Sequence, residues 1–206
     1  MEKIKYRIVS LVVMLILFFI VKEAYMTQIA YINITLEQVV QKSNCIIIAK
    51  KANPSMSTKE VNITPVWKSI IGKKYPPFTE ITYHFIVNEI LYAENTISEG
   101  ISIDVFPANQ EKDFMSHKEY CLRGIGKSPI YEAYNYDMKK FTFKKDIYDS
   151  SNELILFLNT KDYKTFTFVA EHAYESINLK EKVVDIIKNK NNSGINAPGI
   201  SGPYPE

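Results

Sequence analysis

Two short runs constrain this chain more than any other feature: CIIIAK, Cys45 to Lys50, and ELILFLN, Glu153 to Asn159. Each is apolar at nearly every position and too short for a helix, so each reads as a strand buried on both faces. The segments around them alternate instead. In ITYHFIVNEIL, residues Ile81, Tyr83, Phe85, Val87 and Leu91 face one way while Thr82, His84 and Asn88 face the other, which puts His84 on the outer face. ISIDVF turns Ile101, Ile103 and Val105 inward and pairs with that strand across a turn at Glu99 and Gly100. TFTFVAEHAY, Thr165 to Tyr174, follows ELILFLN after the short TKDYK connection, which suits a hairpin.

Two helices flank these strands. In TLEQVVQKSN, Thr35 caps, Gln38 completes a capping box, and Leu36, Val39 and Val40 form the apolar face. In NLKEKVVDIIKNK, Asn178 caps and Leu179, Val183, Ile186 and Ile187 make one stripe. The polar segment up to Tyr75, ending in YPPF, reads as a long connection. Ala108 to Ser151 is polar and tyrosine-rich, and the chain from Asn189 has too much Gly, Pro and Asn to order itself.

The expected class is therefore mainly β (α+β): a small five-stranded OB-like barrel flanked by short N- and C-terminal helices. The order TLEQVVQKSN, CIIIAK, long loop, ITYHFIVNEIL, ISIDVF, ELILFL resembles the netrin-like family, which includes the tissue inhibitors of metalloproteinases. It resembles more closely uncharacterised exported bacterial proteins with an SPI stretch before the last two strands and an AYES ending. The resemblance covers about residues 35–188 and implies an OB-type barrel. The inhibitors' Cys-x-Cys device is absent, so the resemblance does not imply protease inhibition.

The N-terminus sets the destination. Lys3, Lys5 and Arg7 precede an apolar run from Ile8 to Val21, and Lys22 closes it. As a helix the run spans about 21 Å at ~1.5 Å per residue, short for a hydrocarbon core of about 30 Å. Length thus favours a cleaved signal peptide. No pair of small residues two apart follows the run, and Lys and Arg snorkel, which favours an N-terminal membrane anchor. Both readings stay open, and both deliver the rest outside: membrane-anchored by residues 8–21, or released into the periplasm or extracellular space. The layout is residues 1–26 as signal peptide or anchor, 27–188 as a single globular OB-like domain, and 189–206 as a polar tail.

Removing residues 1–22 takes away four cations (Lys3, Lys5, Arg7, Lys22) and one anion (Glu2), turning the formal +2 into −1. Arg123 is then the one arginine left, so nucleic-acid binding, which needs a basic surface, is set aside. The Lys-, Ile- and Asn-rich composition points to a bacterium with an AT-rich genome, and the N-terminal segment to its envelope. The sequons at Asn33, Asn62 and Asn191 would matter only in a eukaryotic secretory pathway.

Each chemical candidate has a plainer competitor. RGIGKS, Arg123 to Ser128, ends like a phosphate loop, yet the position of the first glycine is Cys121, and Pro129 disfavours a helix through Ser128. It reads as a glycine turn. Cys45 and Cys121 form either a disulfide or two unrelated buried thiols. A disulfide would close a loop of roughly 76 residues and stabilise by about 4 kcal/mol. His117 and Cys121, four apart, would share a helix face, but two ligands do not make a zinc site, and as a nucleophile pair they would need a carboxylate. No cofactor is expected. Tyr131, Tyr134, Tyr136 and Tyr148 either line a ligand groove or pin a long loop to the barrel. These readings favour an exported or membrane-tethered binding or interaction module for an unknown protein or small molecule over an enzyme. The alternative is an envelope hydrolase or metal-dependent enzyme using His117 and Cys121.

Overall fold

The computed structural model describes residues 12–14, 29–70, 72, 74–94, 96–123, 131–136, 141–160 and 165–192. The apolar run at 8–21, apart from 12–14, lies outside them, as do Gly124 to Ser128 and the tail beyond 192. Among the described residues no helix is long and apolar enough to cross a membrane.

The fold is mainly β, with short helices. Strands are β1 (Ile29–Ile34), β2 (Cys45–Val61), β3 (Phe78–Ala93), β4 (Ser102–Phe106), β5 (Tyr131–Tyr136), β6 (Glu153–Thr160), β7 (Phe166–Phe168) and β8 (Tyr174–Ser176). Helices are α1 (Leu36–Lys42), α2 (Val66–Ile70), α3 (Gln110–Arg123), α4 (Phe141–Ser150) and α5 (Lys180–Asn192). Two compact units result: Met1–Ala30, Asn62–Phe78 and Glu111–Glu132 form the smaller, and Tyr31–Val61, Thr79–Gln110 and Ala133–Glu206 the larger.

A six-stranded sheet runs β2-β3-β4-β7-β6-β8, with β2 also pairing β6, and β1 pairs β5 in a second, two-stranded sheet. Both runs that read as doubly buried strands are so: Cys45 to Ala49 and Leu154 to Leu158 are buried without exception. They are also partners, antiparallel with Ile47 opposite Leu156. β6 uses its other edge for β7 and then β8, Leu158 facing Phe168 and Leu154 facing Ser176. The expected single strand TFTFVAEHAY is thus interrupted: β7 and β8 are two short strands on one edge of β6, with a turn between them. Asn44 fastens the end of this pairing, its Nδ2 donating to Thr160 O and its Oδ1 accepting from Thr160 N, both at 2.9 Å.

α1 carries the expected capping box. Its C-terminal carbonyls are met from α5, where Lys190 donates to Ser43 O at 2.9 Å, a favourable place for a cation. That contact accompanies the continuation of α5 to Asn192, past residue 188. At the other end a 3-10 turn, Ile177–Leu179, precedes α5, and Ser176 rather than Asn178 caps it. Phe85, Val87, Ile103 and Val105 are buried as alternation requires, and Asn88 is exposed. Ile101 is 40 % exposed, because β4 begins only at Ser102 and Ile101 still belongs to the turn. Gly100 sits in that turn at φ +80°, a conformation that only glycine adopts freely. β2 also runs far beyond CIIIAK, through the polar KANPSMSTKEV to Val61, where a loop was expected.

Candidate functional site

The larger unit contains a cavity of about 330 Å³. Tyr83 on β3, Tyr148 on α4, Phe168 on β7 and Tyr174 on β8 line it with rings, beside Met56 and Pro107. Lys145, Asp149, Glu171 and His172 bring its polar groups. The four rings contact one another in a closed circuit: Tyr83–Tyr148 at 5.7 Å, Tyr148–Tyr174 at 5.5 Å, Tyr174–Phe168 at 6.1 Å and Phe168–Tyr83 at 5.8 Å between centroids. Such tilted and edge-on pairs are each worth ~0.5–1.5 kcal/mol beyond the area they bury, so the lining is stiff.

Local sequence explains how α4 contributes. In FTFKKDIYDS, Lys144, Ile147 and Tyr148 share one helical face, and Lys145 and Asp149, four apart, share the next. Burial pushes the Tyr148 phenol up to about 12, with Ser55 opposing and Tyr83 and Asp149 adding. Burial first raises Tyr83 and Tyr174 as well, with Glu171 adding at Tyr83 and with Tyr83, Tyr148, Asp149 and Glu175 adding in that order at Tyr174. All three phenols are therefore neutral near pH 7 and keep their O–H donors. The Tyr148 hydroxyl is buried and, among the described residues, makes no hydrogen bond of ordinary geometry.

The turn between β7 and β8 shapes one side of the cavity. His172 adopts φ 59°, which costs a non-glycine residue about 1–3 kcal/mol. β5 holds the turn in place: Tyr136 N donates to Glu171 O and Glu171 N to Tyr134 O, both at 2.9 Å. The Glu171 carboxylate accepts from Asn109 N and Nδ2 at 3.2 Å. Burial, then the charge of Lys144, hold the His172 imidazole below its ordinary 6.5.

Behind Tyr174 lies a buried ion pair. Lys144 is fully buried and donates to the Glu175 carboxylate and, at 2.7 Å, to Tyr174 O. Tyr136 donates its hydroxyl to Glu175 Oε1 at 2.7 Å, and its ring lies 4.0 Å from the Lys144 ammonium. Four groups thus share a desolvated charge pair. A pair in this setting gains little over apolar residues, but losing one partner strands the other.

Of the tyrosines in the expected groove whose side chains are described, Tyr134, Tyr136 and Tyr148, only Tyr148 lines the cavity. Tyr136 belongs to the core, Tyr134 stacks under Lys42 at 4.2 Å, and the side chain of Tyr131 lies outside the described residues. The cavity-lining residues that sequence reading left out of the groove include Phe168, Tyr174 and His172. Alternation already turned Tyr83 inward, but nothing local in the sequence announced that these residues meet α4.

Cys45 and Cys121 are both free, buried thiols, and the structure forms no disulfide between them. Burial raises Cys45 to about 11 and raises Cys121 too, so neither is a ready thiolate. Cys121 Sγ is 3.9 Å from His117 Nε2, yet that nitrogen also bonds Pro76 O at 3.0 Å. A nitrogen that donates to a carbonyl cannot take a proton from the thiol. Among the described residues no group of three or more His, Cys, Asp or Glu is placed to hold a metal. Neither the family models nor the curated proteins include a match to this chain.

Replacing Lys144 with Met is expected to cost about 3–5 kcal/mol in urea unfolding, and Lys144→Met with Glu175→Leu considerably less, since the double change strands no charge. Because the lowered His172 pKa makes the unfolded chain the stronger proton binder, its contribution is fully present above pH 6.5 and declines as pH falls below that value. His172→Asn, which tolerates positive φ, should flatten that part of a stability-versus-pH curve.

Proposed function

We propose that the protein is an exported or membrane-tethered binding module that takes a small ligand with an apolar or ring face into the aromatic cavity of its larger unit. The observation that carries this reading is the cavity itself: about 330 Å³, walled by four rings, with a few polar groups at hand. That volume and lining are those of small-molecule sites. The neutral phenols offer flat contact area and O–H donors, while Lys145 and Asp149 supply charges of both signs. A ligand that stacks on the rings and hydrogen-bonds at its edge fits this chemistry better than a strongly charged one.

The architecture behind the site is, in this reading, a small OB-type barrel like that of the netrin-like family. Its support is the order of pairing, β2 with β3, β3 with β4, β4 with β7, β7 with β6 and β6 with β2 again, in which β4–β7 is parallel. Strand β8 then continues the edge that β7 begins. Export rests on the apolar run from Ile8 to Val21 with its basic flank.

Titration with indole and with glucose, followed by NMR shifts of the tyrosine ring protons, tests the cavity. At least one probe should give a saturable shift that Tyr148→Ala weakens about tenfold, or ~1.4 kcal/mol. No saturable shift with either probe overturns the reading. Fractionation of the native host with intact-mass analysis tests delivery: full-length protein in the membrane or a form cleaved near Ala24 outside supports it, and full-length protein in the cytosol sinks it. Both thiols should alkylate on denaturation without reductant.

A further inference from the structure

Three neighbouring strands place a serine, a histidine and an aspartate in one hydrogen-bonded row on the face opposite the cavity. Ser57 on β2 lies with its Oγ 2.8 Å from His84 Nε2, and His84 Nδ1 is 2.7 Å from Asp104 Oδ1. His84 and Asp104 are direct cross-strand partners in the β3–β4 register, so the backbone sets their approach. Met56 and Tyr83, one residue before Ser57 and His84, line the cavity, while the row itself opens to solvent.

With the imidazole in its neutral form, the connectivity assigns the proton positions. A carboxylate can only accept, so Nδ1 carries the hydrogen of the neutral imidazole and Nε2 presents its lone pair. Ser57 must then be the donor to Nε2. Nucleophile, base and orienting carboxylate thus stand in the sequence that nucleophilic catalysis requires, with each on the correct nitrogen. We infer that Ser57 is an activated nucleophile, with His84 as its general base and Asp104 as a positioning residue, suited to acyl transfer from activated esters.

The expected substrate class follows from what surrounds the row. Removing the donors that stabilise a developing oxyanion costs a serine enzyme orders of magnitude, and the hydrogen bonds of the row run from Ser57 to His84 and from His84 to Asp104 rather than toward such a charge. An ester with a good leaving group depends least on that stabilisation. In the first step the Ser57 Oγ–carbon bond forms as the carbon–oxygen bond to the leaving aryl oxide breaks, and the serine proton passes to Nε2. His84 gives that proton to solvent or to the leaving oxygen. Water, deprotonated by the same nitrogen, then splits the serine ester to carboxylic acid and free Ser57.

The test treats the full chain with p-nitrophenyl acetate and maps acetylation by peptide mass spectrometry. Ser57 should acetylate at least about tenfold faster than Ser55 and Ser102, and His84→Gln should slow it about 100-fold while leaving background lysine acetylation unchanged. Asp104→Asn should slow it as well, by favouring the wrong tautomer. The Asp104 side chain is 60 % exposed, so this variant still decides the matter if His84→Gln disturbs folding. Ser57 acetylating no faster than its neighbours, or at a rate indifferent to both substitutions, overturns the inference and leaves the row as a cross-strand hydrogen-bond ladder.

Discussion

Burial of β6 on both faces and along both edges is the constraint on which the larger unit depends. Leu154 to Leu158 are all fully buried, each worth about 1.5–3 kcal/mol relative to exposure. One edge of the strand takes β2 and the other takes β7 followed by β8. Removing water from both faces leaves no room for polar side chains there, and pairing both edges satisfies the backbone groups that burial would otherwise strand. The cavity inherits its stiffness from this arrangement, because Phe168 and Tyr174 belong to the two short strands that share one edge of β6.

Around that apolar centre, the costly features gather on one side. A left-handed histidine, a buried tyrosine hydroxyl and a desolvated lysine–glutamate pair all lie at the cavity or directly behind it. Each lowers stability relative to a plain hydrophobic alternative, and packing around β6 offsets them. Strain and buried polarity are thus concentrated beside the cavity rather than spread through the core. The Ser57–His84–Asp104 row differs in character. It lies at the surface, where hydrogen bonds form at little desolvation cost.

Much of the fold was legible wherever the determining interactions are local. The capping box of α1 needs only Thr35 and Gln38, three residues apart, and the burial of CIIIAK and ELILFLN follows from their own composition. Reading failed where a distant partner decided the outcome. KANPSMSTKEV looks like a loop by its polarity and its proline, yet it continues β2, in a sheet where β3 is the neighbouring strand. TFTFVAEHAY looks like one strand, but the turn around His172 splits it, and that turn is held by β5. Lys144 lies in a stretch that reads only as polar and tyrosine-rich, and its burial is made tolerable by Glu175 and Tyr136. For the candidate site, Tyr148 and the inward face of Tyr83 were visible in the sequence, whereas the circuit of four rings was not.

Sequence by itself determined the periodicities, the helix cap and the two strands that must be buried, because these depend on residues within one or two turns of one another. The tertiary structure alone decided which residues meet: Tyr83 with Tyr148 and Phe168, Lys144 with Glu175, and Ser57 with His84 and Asp104. Those contacts join residues on separate elements, and the chain brings them together only once register and strand order are set by burial of the core.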